Sequence, residues 1–162
     1  MSELAFVFHY ENCIQCHACE LACKSRRQVE YGLKWRDVRC IWRGTYPRTS
    51  IETHSVSCIH CIRPSCAEVC HAGAISKRPE DGVVLVDPAL CNGCRDCEYV
   101  CPVGAPVFGA DDVMQKCDLC VFDLDTEGGK PICVLTCPTG ALELVWMSNE
   151  EKAAQVQSIS AI

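Results

Sequence analysis

No apolar run in this sequence approaches the roughly 18 residues needed to cross a bilayer; the longest, such as Leu4 to Phe8 and Val83 to Val86, are only a few residues each. No transmembrane segment is therefore expected. The first residues also lack the basic stretch, apolar core and cleavage site of a secretory signal. The pair Arg26-Arg27 has no apolar segment behind it, so it reads as a solvated helix face and not as a twin-arginine signal. A basic excess is missing too: the formal net charge is −6, which argues against nucleic acid as a partner. Apolar residues themselves are scarce. The 49% hydrophobic content includes 17 cysteines, and without them about 38% remains for a conventional core, so something besides apolar packing must help hold the fold.

Cysteine fills that role. A disulfide framework would require an oxidising compartment and an even count, and neither is indicated. Sixteen of the 17 cysteines instead fall into four groups of four. The first is Cys13-x2-Cys16-x2-Cys19-x3-Cys23, and the third repeats it as Cys91-x2-Cys94-x2-Cys97-x3-Cys101, followed by Pro102. The second, Cys58-x2-Cys61-x4-Cys66-x3-Cys70, and the fourth, Cys117-x2-Cys120-x12-Cys133-x3-Cys137, differ only in the middle gap. A structural zinc would be satisfied by two C-x2-C pairs. It gives no reason for a third cysteine and a fourth at fixed offset, whereas a [4Fe–4S] cluster does.

Cysteines three apart on a tight loop aim their thiolates into one concavity, where backbone N–H groups also face the cluster. The fourth, one helical turn further on, points away and is placed to ligate a neighbouring cluster. Three groups end in C-x-x-G-A, at Cys70 to Ala74, Cys101 to Ala105 and Cys137 to Ala141, and each is followed by a short β-prone segment. The glycine is expected to take positive φ as the chain leaves helix for strand. Asp81-Gly82 marks a hairpin over Ile75 to Val86.

Residues 58–108 thus read as one two-cluster ferredoxin-like module. Residues 1–57 and 109–147 read as a second, discontinuous module around it, with Leu4 to His9 and Leu142 to Val145 as partner strands. The expected fold class is α+β, two nested bacterial-ferredoxin-like modules of short hairpins, short helices and cysteine loops, with 148–162 as a C-terminal tail. Under this pairing, cluster one takes Cys13, Cys16, Cys19 and Cys137, and cluster two takes Cys23, Cys117, Cys120 and Cys133. Cluster three takes Cys58, Cys61, Cys66 and Cys101, and cluster four takes Cys70, Cys91, Cys94 and Cys97. Each oxidised cluster with its thiolates adds about −2, so the loaded protein would carry about −14.

Cys40 lies outside every group and reads as a buried, inert thiol. The histidines replace no cysteine, so His17 and His60, inside cluster loops, read as neighbours that tune hydrogen bonding or solvation. Trp35, Trp42 and Trp146 read as core or interface aromatics. Residues Arg36 to Trp42 read as a strand, and Pro47 to Val56 return toward Cys58. Ser148-x-x-Glu151 reads as a capping box, with a short helix over Ala153 to Ile159 that either docks on a partner or frays.

On the four groups, their order and the C-x-x-G-A repeats, the chain resembles the four-cluster subunits of the dimethyl sulfoxide reductase family of molybdenum and tungsten enzymes. The resemblance runs from about Phe6 to Val145. It is densest at Cys58 to Cys66 with Asp81 to Asp87, and at Lys116-Cys117-Asp118-Leu119-Cys120 with Pro131-Ile132-Cys133. It implies the same pairing of groups, a non-catalytic electron-transfer role in anaerobic respiration, and a catalytic partner carrying a bis-pterin molybdenum or tungsten cofactor. A membrane quinone-reactive subunit or a soluble carrier would be the other electron partner. All four third-group cysteines are present, so no [3Fe–4S] cluster is expected. The implied compartment is cytoplasmic, or exported with a signal-bearing partner. The alternative use of the same cysteines is a free-standing polyferredoxin.

Overall fold

The computed structural model describes residues 2–127 and 129–159; positions 1, 128 and 160–162, the ends of the segments 1–57 and 148–162 among them, lie outside the described residues. Strand β1 (Ser2–Phe8) is followed by a 3-10 turn, helix α1 (Ala18–Arg26) and a hairpin of β2 (Arg36–Thr45) and β3 (Arg48–Ser57). Helix α2 (Ser65–Glu68), strands β4 (Ile75–Lys77) and β5 (Val84–Val86), and helix α3 (Asp96–Tyr99) come next. The chain continues through β6 (Val107–Phe108), β7 (Met114–Gln115), α4 (Val121–Glu127), α5 (Ile132–Leu135), β8 (Leu142–Ser148) and α6 (Asn149–Ile159). Among the described residues no helix is long and apolar enough to cross a membrane.

Every sheet is a two-stranded antiparallel ladder, and such ribbons are stable only when a face is covered. The expected terminal strands do pair: β1 runs against β8, with Leu4 opposite Trp146, Phe6 opposite Leu144 and Phe8 opposite Leu142. Because side chains alternate along a strand, these six share one face. Leu4, Phe6 and Leu144 from that face close over Val83, Leu119 and Val121. Two further small cores include cysteine: Val56, Val103 and Ala105 with Cys58 and Cys117, and Ile75, Val84 and Met114 with Cys97. Helix α1 packs on α5, and α2 on α3.

The last helix packs against β1 of its own chain. Ser148 Oγ accepts the Glu151 N–H at 3.3 Å, while the Glu151 carboxylate accepts the Ser148 N–H at 3.0 Å, which closes the capping box. Lys152, fully buried, donates to Glu3 Oε2 at 2.9 Å and to the Leu4 carbonyl at 3.0 Å. Lys77 Nζ reaches Glu3 Oε1 at 2.6 Å, so one carboxylate ties α6, β1 and β4 together. Burial alone would raise the Glu3 pKa, but the hydrogen bonds from Lys77 and Lys152 outweigh it and hold the carboxyl below its ordinary value.

Two expectations need correction. Cys40 is exposed and not buried: Arg36 and Val38 on the same strand face are covered, but at the next step only the β3 side of the ladder is, where Thr53 opposite is buried. Arg27 is not a solvated residue. It folds back on Asp118 at 2.9 Å and lies 3.6 Å from Asp123, with only 17% of its side chain accessible. Of the tryptophans, only Trp35 is largely packed, donating to Gln115 Oε1 at 3.2 Å, whereas Trp42 and Trp146 are exposed.

The hairpin at Asp81-Gly82 has a four-residue loop, closed by Arg78 N–H to the Val83 carbonyl and Gly82 N–H to the Arg78 carbonyl. Gly82 sits at φ +74°, and a Cβ there would strike the Glu3 carboxylate, which its two lysines hold in place. Gly73 is at φ +66° with open space around it. Gly73→Ala should therefore cost about 1–2 kcal/mol of backbone strain alone, and Gly82→Ala clearly more, compared by anaerobic urea unfolding. Glu3's stabilisation is present above the ordinary carboxylate range and lost as pH falls through its lowered pKa. Acidification should accordingly raise amide exchange in α6 before the β2–β3 hairpin, and Glu3→Gln should remove that difference.

Candidate metal centres

The groups of cysteines converge in pairs. Cys13 lies within electrostatic reach of Cys16, Cys19 and Cys137, and Cys23 of Cys120 and Cys133, with Cys117 also beside Cys23 and Cys133. Cys66 is surrounded by Cys58, Cys61 and Cys101, and Cys97 by Cys70, Cys91 and Cys94. Each of these quartets takes three thiols from one group and one from another. In the last, the four cysteines line a small cavity with Ile75, Val86 and Met114.

Local backbone explains the convergence. In every group the residue just before the second cysteine has positive φ: Gln15 at 59°, His60 at 47°, Gly93 at 72° and Leu119 at 61°. That left-handed turn bends C-x2-C so that neighbouring amides face inward, a nest for negative charge. Only Gly93 advertises the turn in sequence; the other three carry side chains in a conformation that costs energy and persists at functional sites. The third cysteine stands in the first turn of a helix, and the fourth follows one turn later. Pro64 and Pro131 precede α2 and α5, where a fixed φ suits a helix start.

The C-x-x-G-A repeat has a matching cause. After the glycine turns, the alanine N–H donates back to the sulfur of the group's last cysteine: Ala105 to Cys101 Sγ and Ala141 to Cys137 Sγ, both at 3.3 Å. Met114 N–H donates to Cys91 Sγ at 3.4 Å and Leu119 N–H to Cys117 Sγ at 3.4 Å. At Cys137, burial is outweighed by the Thr139 N–H and hydroxyl and by the Ala141 and Leu142 amides, and its pKa falls below the ordinary thiol value.

Elsewhere the opposite holds. Burial first, then neighbouring thiolates, push Cys23 and Cys66 up to about 12 and Cys97 to about 11. Thiols crowded this way release their protons only against a strong cation, which is the chemistry of metal–thiolate binding. All-sulfur quartets with inward amides and apolar walls fit iron–sulfur clusters, which are held by four thiolates and tuned by hydrogen bonds to sulfur.

Other side chains prepare the surroundings. His60 is 1% exposed; its Nδ1 accepts the Val84 N–H at 3.0 Å, while burial and then Lys116 and Lys152 hold its pKa far down. His17, half-exposed, lies 3.2 Å from Glu20 Oε2, which also accepts the Val38 N–H at 3.0 Å and fastens α1 to β2. Buried Lys116 donates to the Val84 carbonyl and, at 3.1 Å, to the Cys117 carbonyl. Its burial was invisible in the sequence, although it directly precedes a ligand-type cysteine.

Short ladders, cysteine loops and single-turn helices arranged around all-thiol quartets define a ferredoxin-like [4Fe–4S] protein, and the family model described as a 4Fe-4S dicluster domain matches residues 49–147. A component of the anaerobic dimethyl sulfoxide reductase of Escherichia coli K12 is 40% identical over 154 residues, covering 88% of this chain and 73% of the relative. A component of the sulfite dehydrogenase of Allochromatium vinosum is 38% identical over 162 residues, covering 87% and 68%. The formate dehydrogenase iron-sulfur subunit of Wolinella succinogenes is 33% identical over 152 residues, covering 80% and 74%. The chain belongs to this family, the iron–sulfur electron-transfer subunits of dimethyl sulfoxide reductase-type oxidoreductases.

Replacing Lys116 by Met would leave the carbonyls of Val84 and Cys117 without their buried donor. Lys116→Met should cost about 1–3 kcal/mol, read as an earlier midpoint in anaerobic urea unfolding; an unchanged midpoint would show that the ammonium is dispensable.

Proposed function

We propose that the chain carries four [4Fe–4S] clusters and relays electrons, one at a time, to or from a bis-pterin molybdenum or tungsten catalytic subunit. Cys13, Cys16, Cys19 and Cys137 hold cluster one, and Cys23, Cys117, Cys120 and Cys133 cluster two. Cys58, Cys61, Cys66 and Cys101 hold cluster three, and Cys70, Cys91, Cys94 and Cys97 cluster four. The observation that carries this reading is that each quartet of neighbouring thiols draws on two groups distant in sequence. When bound, each cluster supplies a one-electron redox couple.

The two nested modules follow from the same pairing. Support comes from the packing of α1 on α5 and of α2 on α3, and from the β1–β8 ladder that joins the ends of the outer module. The four form a row. All ligands of cluster two are buried, and Cys117 shares a small core with Cys58 of cluster three. Clusters one and four each have an exposed ligand, Cys16 and Cys94, and make the two ports of the row. The residues of this chain hold, insulate and tune, and substrate chemistry belongs to the partner's cofactor.

Anaerobically purified protein should contain about 16 iron atoms per molecule with matching sulfide, lose visible absorption on reduction, and co-elute with a large pterin-containing subunit. Colourless protein, or zinc in place of iron, would sink the reading.

A further inference from the structure

Relaying electrons does not in itself require Arg36, yet this arginine is among the most buried side chains of the protein, at 2% exposure. It opens β2. Its Nη1 donates to the Ser55 carbonyl at 3.2 Å and to Ser55 Oγ at 3.0 Å, and its guanidinium carbon lies 4.3 Å from the centre of the Phe6 ring. Nε and Nη2 make no hydrogen bond of ordinary geometry. Ser55 Oγ also stands 3.5 Å from Cys19 Sγ. The charges around the guanidinium are thiolates: Cys133, Cys117, Cys19 and Cys23. Three of these belong to quartet two and one to quartet one.

A guanidinium buried without a carboxylate is strongly unfavourable unless other negative charge replaces one. Here the charges that act on it most strongly are those of the sulfur sites it faces. We propose that Arg36 is a fixed counter-charge shared by clusters one and two, which raises their reduction potentials and so favours electrons on the outer half of the row. This rests on the four-cluster reading above. Reduction adds one negative charge to a site that is already anionic, and a nearby buried cation stabilises the reduced form. Being buried, it is little screened by salt, and being an arginine, it stays charged at every working pH. Cys97 in quartet four is surrounded by thiols of its own quartet, so cluster four serves as an internal control.

The bland alternative is that Arg36 merely staples β3 to β1 through Ser55 and Phe6. Potentiometric EPR titration of the purified complex separates the two. In Arg36→Gln with full iron content, the reduction equilibrium of clusters one and two should shift at least tenfold toward the oxidised form, about 59 mV. Cluster four should stay put, and Arg36→Lys should recover most of the shift. Unmoved potentials, or a lysine variant indistinguishable from the glutamine one, would overturn the proposal. If Arg36→Gln fails to load, Ser55→Asp carries the test by setting a carboxylate against Nη1. The same two potentials should then fall, and potentials equal to wild type in that variant overturn the proposal. Wild-type protein lacking four reducible clusters would instead defeat the parent reading.

Discussion

Anionic sulfur gathered at close quarters inside a protein repels itself, and the rest of this structure is arranged around that repulsion. A chain with a small apolar core cannot hold crowded thiolates unless positive charge or partial positive charge meets them. Three sources do so. Backbone amides turn inward at the loops, buried cations stand at Arg36, Lys116 and Lys152, and iron supplies the remainder. The small cores that include cysteine show the same arrangement, because the sulfur sites take the place of missing hydrocarbon at the centre of each layer.

Much of this was legible in the sequence. The four groups, the C-x-x-G-A repeats and the pairing of the first and last strands could be read because spacing and glycine are written directly in residue identity. What could not be read shares one cause: conformation or burial imposed from a distance. Gln15, His60 and Leu119 adopt left-handed turns that nothing in their side chains announces. Arg36 and Lys152 look like surface residues until the strands and the final helix close over them. Cys40 fails in the opposite direction, since strand alternation places it on a covered face whose cover at that level lies over Thr53 of the other strand. The Arg26-Arg27 pair looked solvated because its acidic partners Asp118 and Asp123 lie in a distant part of the sequence.

The two kinds of positive charge near sulfur divide the work. Amides at 3.3–3.4 Å from Cys101, Cys137, Cys91 and Cys117 act on single sulfur atoms and are fixed by the turn itself. Buried side-chain cations such as Arg36 act over several sulfurs at once and stand outside the loops themselves. This separates the holding of metal from the setting of its redox level. A common scaffold can then serve reductases and dehydrogenases alike, as the names of its relatives attest.

The ladder between β1 and β8 also dictates a timetable. Residues 2–8 leave the ribosome well before the strand that completes them, which spans 142–148. At about 5–20 residues per second, roughly ten seconds of translation separate the two. During that interval β1 has no ladder partner, whereas β4 and β5, near the middle of the chain, already have each other. The packing of α2 on α3 can thus be in place while β1 still waits for β8.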